Sequence, residues 1–284
     1  MISSNNIYLS SLAFFGDEIE ESTWYKSALN IEFTSSGFVS SQKGIQIMNS
    51  FEGKKMLHNY FPGSFTNPFV LNIATLDQLE WVRIEDHIKK NIVVSGQQSN
   101  PKIFGIHVGF MFELNVSEIG ERLDPYIDQK SYRYSLMIER LKCLGDFANE
   151  RGVRLLIENN VIRRDSLLDQ ESPLFGVTIS EMMEIIKRVS VSRLGWILDT
   201  AHLKVSANSL GLDLVGEMKQ ISITPDVLHH SDNDGFTDSN KVPDEDYWFK
   251  PYIQDYKDSM HVIEVFNPEK EKLVNFINIL NDSH

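Results

Sequence analysis

Short apolar runs that break off in a carboxylate or an imidazole recur along this chain, and they narrow what it can fold into. The clearest is Leu194 to His202, LGWILDTAH, in which a continuous apolar run ends at Asp199, Thr200 and His202. A run that is apolar at every position, and too short for a helix, suits a strand buried on both faces of a parallel sheet. Taken alone, Asp199 reads equally well as the cap of the next segment. The same pattern returns as VRLLI before Glu158, as Val227-Leu228 before His229, and as Met260 to Ile263 before Glu264. Earlier in the chain it appears as Lys55 to Tyr60 with His58 and as IFGIHV with His107. Further strands are predicted at Ile7–Phe14 and at Leu29–Phe33, the latter ending near Glu32.

Helical segments fall between these runs. Spacing predicts helices over Asp17–Ala28, Gly44–Glu52, Asn72–Ile92, Asp128–Arg151, Thr178–Val189, Leu212–Ile221, Trp248–Asp258 and Pro268–Leu280. In the longest of them Tyr134, Met137, Ile138, Leu141, Leu144 and Phe147 repeat at helical spacing. Thr178 and Glu181 stand at capping-box spacing. His87 reads as a solvated helix residue, and Cys143, Met182, Met183 and Trp196 as core. Eight strand-then-helix units over 284 residues predict one domain, 1–284, folded as a (β/α)8 TIM barrel. An open doubly wound sheet is the rival, but no G-x-G-x-x-G follows the first strand.

In a closed barrel the C-terminal strand ends converge on one mouth, where such enzymes keep their active sites. His58, His107, Glu158, Asp199, His229 and Glu264 would meet there. A carboxylate at the end of a buried strand is costly unless it is paired or bound to a cation, which applies to Glu158 and Glu264. An oxygen-rich set with an imidazole suits one divalent ion, Mn, Mg, Co or Zn, without telling these apart. A lone His58 or His107 has the ordinary reading of a hydrogen-bonded core histidine. His230 follows His229 directly and should face the other way in an extended strand, so His229 is the expected ligand. The Arg163-Arg164 pair reads as solvated.

Bulk properties exclude other classes. The net charge of -13 repels phosphate backbones, so nucleic acid is disfavoured as a partner. A single cysteine rules out an intrachain disulfide framework. No apolar run reaches membrane-spanning length and no basic N-terminal region leads an apolar segment, which predicts a cytoplasmic chain with no membrane partner. Whether it forms a homo-oligomer is not legible.

The pieces LLIEN at Glu158, ILDTAH at Asp199 and His202, LHHSDNDG at His229 and VIEV at Glu264 resemble the xylose isomerase-like barrel superfamily. That group includes sugar and sugar phosphate isomerases and epimerases, and the AP endonuclease family 2 proteins. HNYFP, FVLNIAT and GIHVG are similar to its earlier strands. The resemblance implies that Glu158, Asp199, His229 and Glu264 bind one divalent metal. It implies that Glu158 and Glu264 move protons on a carbohydrate substrate through a metal-stabilised enediolate, with His202 orienting or polarising a substrate oxygen. His58 and His107 would serve a second metal or the substrate, and Asn160 and Lys204 the substrate. The same ligands would also suit a dehydratase or hydrolase, or a barrel that only binds a sugar. The endonuclease branch resembles this chain less well. It calls for an Asp-x-His after the seventh strand, and the comparable loop is read here as Val242 to Tyr247, without a histidine. That reading leaves His202 without co-ligands.

Overall fold

A computed structural model describes residues 6–14, 30–34, 41–63, 69–113, 129–190 and 192–282. Eight parallel strands close into a barrel in chain order: β1 Ile7–Ser10, β2 Asn30–Phe33, β3 Lys55–His58, β4 Ile103–His107, β5 Arg154–Glu158, β6 Leu194–Asp199, β7 Val227–His230 and β8 Met260–Ile263. The last strand pairs with the first, through Ile7↔His261 and Leu9↔Ile263. The helices are α1 Ser41–Ser50, α2 Gln78–Gln98, α3 Lys130–Asn149, α4 Ile179–Val189, α5 Thr200–Leu210, α6 Leu214–Met218 and α7 Lys270–Asp282. This is the (β/α)8 architecture that the strand–helix spacing predicts. No helix among the described residues is long and apolar enough to cross a membrane. The helix expected over Asp17–Ala28 lies outside the described residues.

The pleat sorts each strand into two faces. On β6, Leu194, Trp196 and Leu198 join the core between barrel and helices, while Ile197 joins the core inside the barrel. On β5, Leu155 and Ile157 face outward and Leu156 inward. The inner core is Tyr8, Met56, Ile103, Leu156, Ile197, Val227 and Val262. Two residues further along their strands, on the same face, come Ser10, His58, Gly105, Glu158, Asp199, His229 and Glu264. A layer of apolar side chains thus floors a layer of polar ones.

Several elements differ from expectation. α2 starts at Gln78 rather than near Asn72 or Thr75, because Asp77 caps it by accepting from the Leu79 and Glu80 amides at 2.7 and 3.2 Å. Asn72 instead locks the preceding loop, accepting from Ala74 and Phe110 amides and donating to the Phe112 carbonyl. α6 is only five residues, capped by Asp213. The helix expected over Trp248–Asp258 is present as a shorter 3-10 helix, Lys250–Tyr256, with Pro251 at its start. Thr178 caps α4 as expected, accepting from the Glu181 amide, but Glu181 reaches back to the Gly176 and Val177 amides rather than to Thr178.

Two residue assignments are corrected. Cys143 is exposed, because Met137, Ile138, Leu141 and Leu144 occupy the buried face of α3. His87 is half-buried rather than solvated. Its Nε2–H donates to the Asn59 carbonyl at 2.9 Å, and its ring meets Phe69 edge-on. Met182, Met183 and Trp196 are core, and Arg163 is exposed and paired with Asp165.

Candidate metal centre

Glu158 sits at the middle of the polar layer. Its Oε2 lies 2.8 Å from His58 Nε2 and 3.3 Å from His107 Nε2. Its Oε1 lies 3.1 Å from His229 Nδ1 and 3.8 Å from His202 Nδ1. Four imidazoles therefore surround one fully buried carboxylate. His229 Nδ1 is also 3.0 Å from Glu264 Oε2 and 3.9 Å from Asp199 Oδ2. Each placement follows from register. His107 pairs with Glu158 across β4 and β5, and Asp199 with His229 across β6 and β7. His230 points the other way, into the outer layer, where it stacks on His261 and meets Phe249 and Phe276.

Close neighbours secure this layer without filling it. Asn159 donates to the Asp199 carbonyl and accepts from the Asp199 amide, which pins the ends of β5 and β6 together. Asp199 Oδ1 caps α5 by accepting from the His202 amide at 2.7 Å. The His202 imidazole donates through Nδ1 to the Asn159 carbonyl at 2.9 Å. Thr200 Oγ1 donates to the His229 carbonyl at 3.0 Å. Yet both oxygens of Glu158, Asp199 Oδ2 and Glu32 Oε1 are buried and accept no aligned hydrogen bond. Buried carboxylate oxygens in that condition are rare and costly.

The electrostatics point the same way. Burial opposes charge on His58, but Glu32 and Glu158 outweigh it and raise the imidazole above its ordinary value. Burial likewise opposes charge on His229 and His202. Glu32, Glu264 and Glu158 lift the first well above the usual range, and Asp199 and Asp238 the second. Burial drives His107 down to about 4 in spite of Glu158. Burial also works against ionised Glu158, yet His107, His58 and His229 hold it well below the carboxylate range. Glu264 is burdened by burial but lowered by His229. Asp199 is left exposed to the crowding: burial, aided by Glu158 and Glu264 and opposed by His202, pushes it up to about 7. The metal-free layer thus balances its carboxylates with protonated imidazoles, and a bound divalent cation would take the place of those protons.

The residues present fit such an ion. Glu158, Asp199, His229 and Glu264 offer atoms that all lie within 4.8 Å of one another, as do His58, His107 and Glu158. Glu158 belongs to both sets. A third set of the same compactness is Glu32, His58, His229 and Glu264.

The six strand-end residues picked out in the sequence do converge. Two others were overlooked. Glu32 Oε2 lies 3.0 Å from His229 Nε2. The signal was available, since Ile31-Glu32-Phe33 repeats the pattern of Ile263-Glu264-Val265. Asp238 Oδ2 lies 3.2 Å from His202 Nε2. The loop partner of His202 is therefore Asp238, upstream of the Val242–Tyr247 stretch, and His202 does have a carboxylate beside it. Asn160 and Lys204 are engaged elsewhere. The Asn160 amide donates to the Val108 and Phe175 carbonyls, and Lys204 Nζ binds Asp232 Oδ1 and the Asn233 carbonyl, each at 2.6 Å.

A closed parallel barrel with a buried carboxylate–imidazole layer at its C-terminal mouth defines the class of this protein. Residues 41–270 match the family model described as "Xylose isomerase-like TIM barrel", and the chain belongs to that family. Among solved structures it is similar to a D-tagatose 3-epimerase-like protein, with a TM-score of 0.68 and 17% identity, covering 98% of each chain. It is also similar to an AP endonuclease, family 2, from Brucella melitensis, with a TM-score of 0.64 and 13% identity over 98% of this chain and 99% of that one. A third similar structure is the D-psicose 3-epimerase of Clostridium cellulolyticum H10 with D-tagatose, with a TM-score of 0.62 and 12% identity over 98% and 95%. No curated protein matches the chain in sequence.

Proposed function

We propose that this protein is a divalent-metal-dependent isomerase or epimerase of open-chain sugars or sugar derivatives. One observation carries the reading: two buried glutamates from different strands, Glu158 and Glu264, both approach His229 Nδ1, at 3.1 and 3.0 Å. A site that only binds a sugar has no need of two proton-carrying carboxylates around one centre. Glu158, Asp199, His229 and Glu264 would hold the ion, and their buried oxygens without aligned donors support that role. When bound, the ion supplies a Lewis acid for two neighbouring substrate oxygens.

The chain's own groups would do the rest. One glutamate takes the proton from the carbon beside the carbonyl, and the other returns a proton from the opposite face. Ionised, as their neighbours favour, either can act as the base; the one that acts as the acid first takes up a proton from solvent. His202, anchored by the Asn159 carbonyl and faced by Asp238, would donate from Nε2 to a substrate oxygen. The epimerases among similar structures support the substrate class.

The test begins with metal content. About one equivalent of Mn, Co, Mg or Zn should copurify or reload, and Glu158→Gln should lose it. With ketoses in deuterated water, deuterium should enter beside the carbonyl as the epimer forms. Glu264→Gln should slow that exchange by about 10²- to 10⁴-fold. Full exchange in metal-loaded Glu264→Gln would remove the proton-transfer role.

A second reading, metal-assisted hydrolysis, is favoured by the compact His58, His107 and Glu158 set and by Asp238 beside His202. Two or more zinc equivalents with cleavage of an abasic duplex would establish it, against the adverse charge of -13.

A further inference from the structure

Glu32 lies at the end of β2, buried on the far side of both His229 and His58 from Glu158. His229 turns Nε2 to Glu32 Oε2 at 3.0 Å, and Nδ1 to Glu264 and Glu158 at 3.0 and 3.1 Å. His58 does the reverse. Its Nδ1 faces Glu32 Oε1 at 3.8 Å, and its Nε2 faces Glu158 Oε2 at 2.8 Å. The two rings stand edge to face, 5.1 Å apart at 88°. One carboxylate therefore addresses one nitrogen of each ring, and the remaining nitrogens address Glu158.

We propose that Glu32 is a positioning residue that sets the tautomer of His229, so that its Nδ1 presents a lone pair to the carboxylate centre. The inference rests on the divalent-cation reading of that centre. An ionised carboxylate only accepts hydrogen bonds, so a nitrogen that faces Glu32 carries N–H. A neutral imidazole has one N–H, which leaves its other nitrogen free to ligate. Glu32 thereby selects the Nε2–H form of His229. Carboxylate partners of ligating histidines act in this way, fixing ring orientation and raising ligand basicity.

The alternative is a cation on the Glu32 side, held by Glu32, His58, His229 and Glu264. It would require His229 to keep its proton on Nδ1. Three carboxylates, from Glu158, Asp199 and Glu264, lie within 4 Å of Nδ1, against the single carboxylate of Glu32 at Nε2. A cation is drawn to the side where negative charge is denser.

The experiment is long-range proton–nitrogen NMR on uniformly nitrogen-15-labelled, zinc-loaded protein, with a zinc competition titration of the parent and Glu32→Gln. Gln preserves shape, but its side-chain nitrogen can donate to His229 Nε2 in place of the accepting oxygen, which turns the ring proton-first toward Glu158 and Glu264. The expected result is an Nε2–H signature for His229 and a 10- to 100-fold loss of zinc affinity in the variant. The tautomer measurement needs no variant, so it stands if Glu32→Gln does not fold. His229 protonated on Nδ1 in the zinc form, or equal zinc affinity in parent and variant, overturns the role of Glu32 and leaves the cation centre intact. A parent protein that binds no zinc, manganese or cobalt overturns the centre itself.

Discussion

Gly105 shows how little room surrounds the polar layer. It occupies an inward position on β4, and a Cβ there would meet Ile197 Cδ1 at 2.6 Å and His58 Cδ2 at 3.0 Å. The missing side chain is the space in which His58 reaches Glu158. Gly105→Ala is expected to destabilise the protein by about 1–3 kcal/mol through overpacking and to weaken metal binding by displacing His58. Chemical denaturation and a metal titration check both, and unchanged affinity would detach Gly105 from the site. At this scale the sequence was most informative where a carboxylate interrupts an apolar run, as at Glu158 and Glu264. Glu32 interrupts a run in the same way. Asp238 was hidden for another reason: it lies in a long polar loop, where one carboxylate among many carries no periodic signal.

Among the elements, α5 was the least legible. It is buried on nearly every side, with Thr200, His202, Ser206 and Ser209 interspersed among Ala201, Leu203, Val205 and Ala207, so no one-sided apolar stripe marks it. Hydrogen bonds hold its polar positions, with Ser206 Oγ accepting from the Ile162 amide and Thr200 bonding to the end of β7. Gly211, at φ +70°, ends it in a conformation that suits glycine. Asp199 opens it with a divided role: Oδ1 caps the helix, and Oδ2 turns toward the His229 imidazole at 3.9 Å. The cap and the centre can be separated by mutation. Asp199→Asn keeps a capping oxygen and removes a carboxylate that burial and its neighbours disfavour, so at pH 8 the metal-free variant should melt no lower than the parent while losing metal affinity. Asp199→Ala should cost about 1 kcal/mol more through the lost cap. Equal melting of the Asn and Ala variants would deny the capping role.

Across the whole molecule, acid sensitivity is expected to arise outside the polar layer as well as within it. His261 is buried between barrel and helices, with Nε2–H donated to the Tyr256 carbonyl and Nδ1 accepting from His230 Nε2–H. Burial lowers it from 6.5 to about 4. The unfolded chain takes up that proton near pH 6.5 and the folded chain only near pH 4, so this group favours unfolding as pH falls through the window and is neutral above it. The difference amounts to about 2 kcal/mol between pH 6.5 and 5. His58, His202 and His229, raised by their carboxylates, act with the opposite sign in the metal-free protein. A comparison isolates His261: His261→Gln should start less stable at pH 7.5 and lose about 2 kcal/mol less than the parent on going to pH 5, measured by urea denaturation. Parallel pH curves would show that His261 does not titrate in that window.

The sequence by itself determined which residues stand at strand ends and which face each takes. Strand period is fixed by backbone geometry, so Asp199 and Ile197 must share a face, and His229 and His230 must not. It also determined that carboxylates would be carried into an apolar interior, because the runs around Glu158 and Glu264 leave them no exposed alternative. Only the tertiary structure decided which of these meet. Barrel closure sets Glu32 against His229, 197 residues away in the chain, and a loop of irregular backbone delivers Asp238 to His202. Contacts of that kind depend on the curvature and closure of the whole sheet and on loop paths, and no local pattern encodes either.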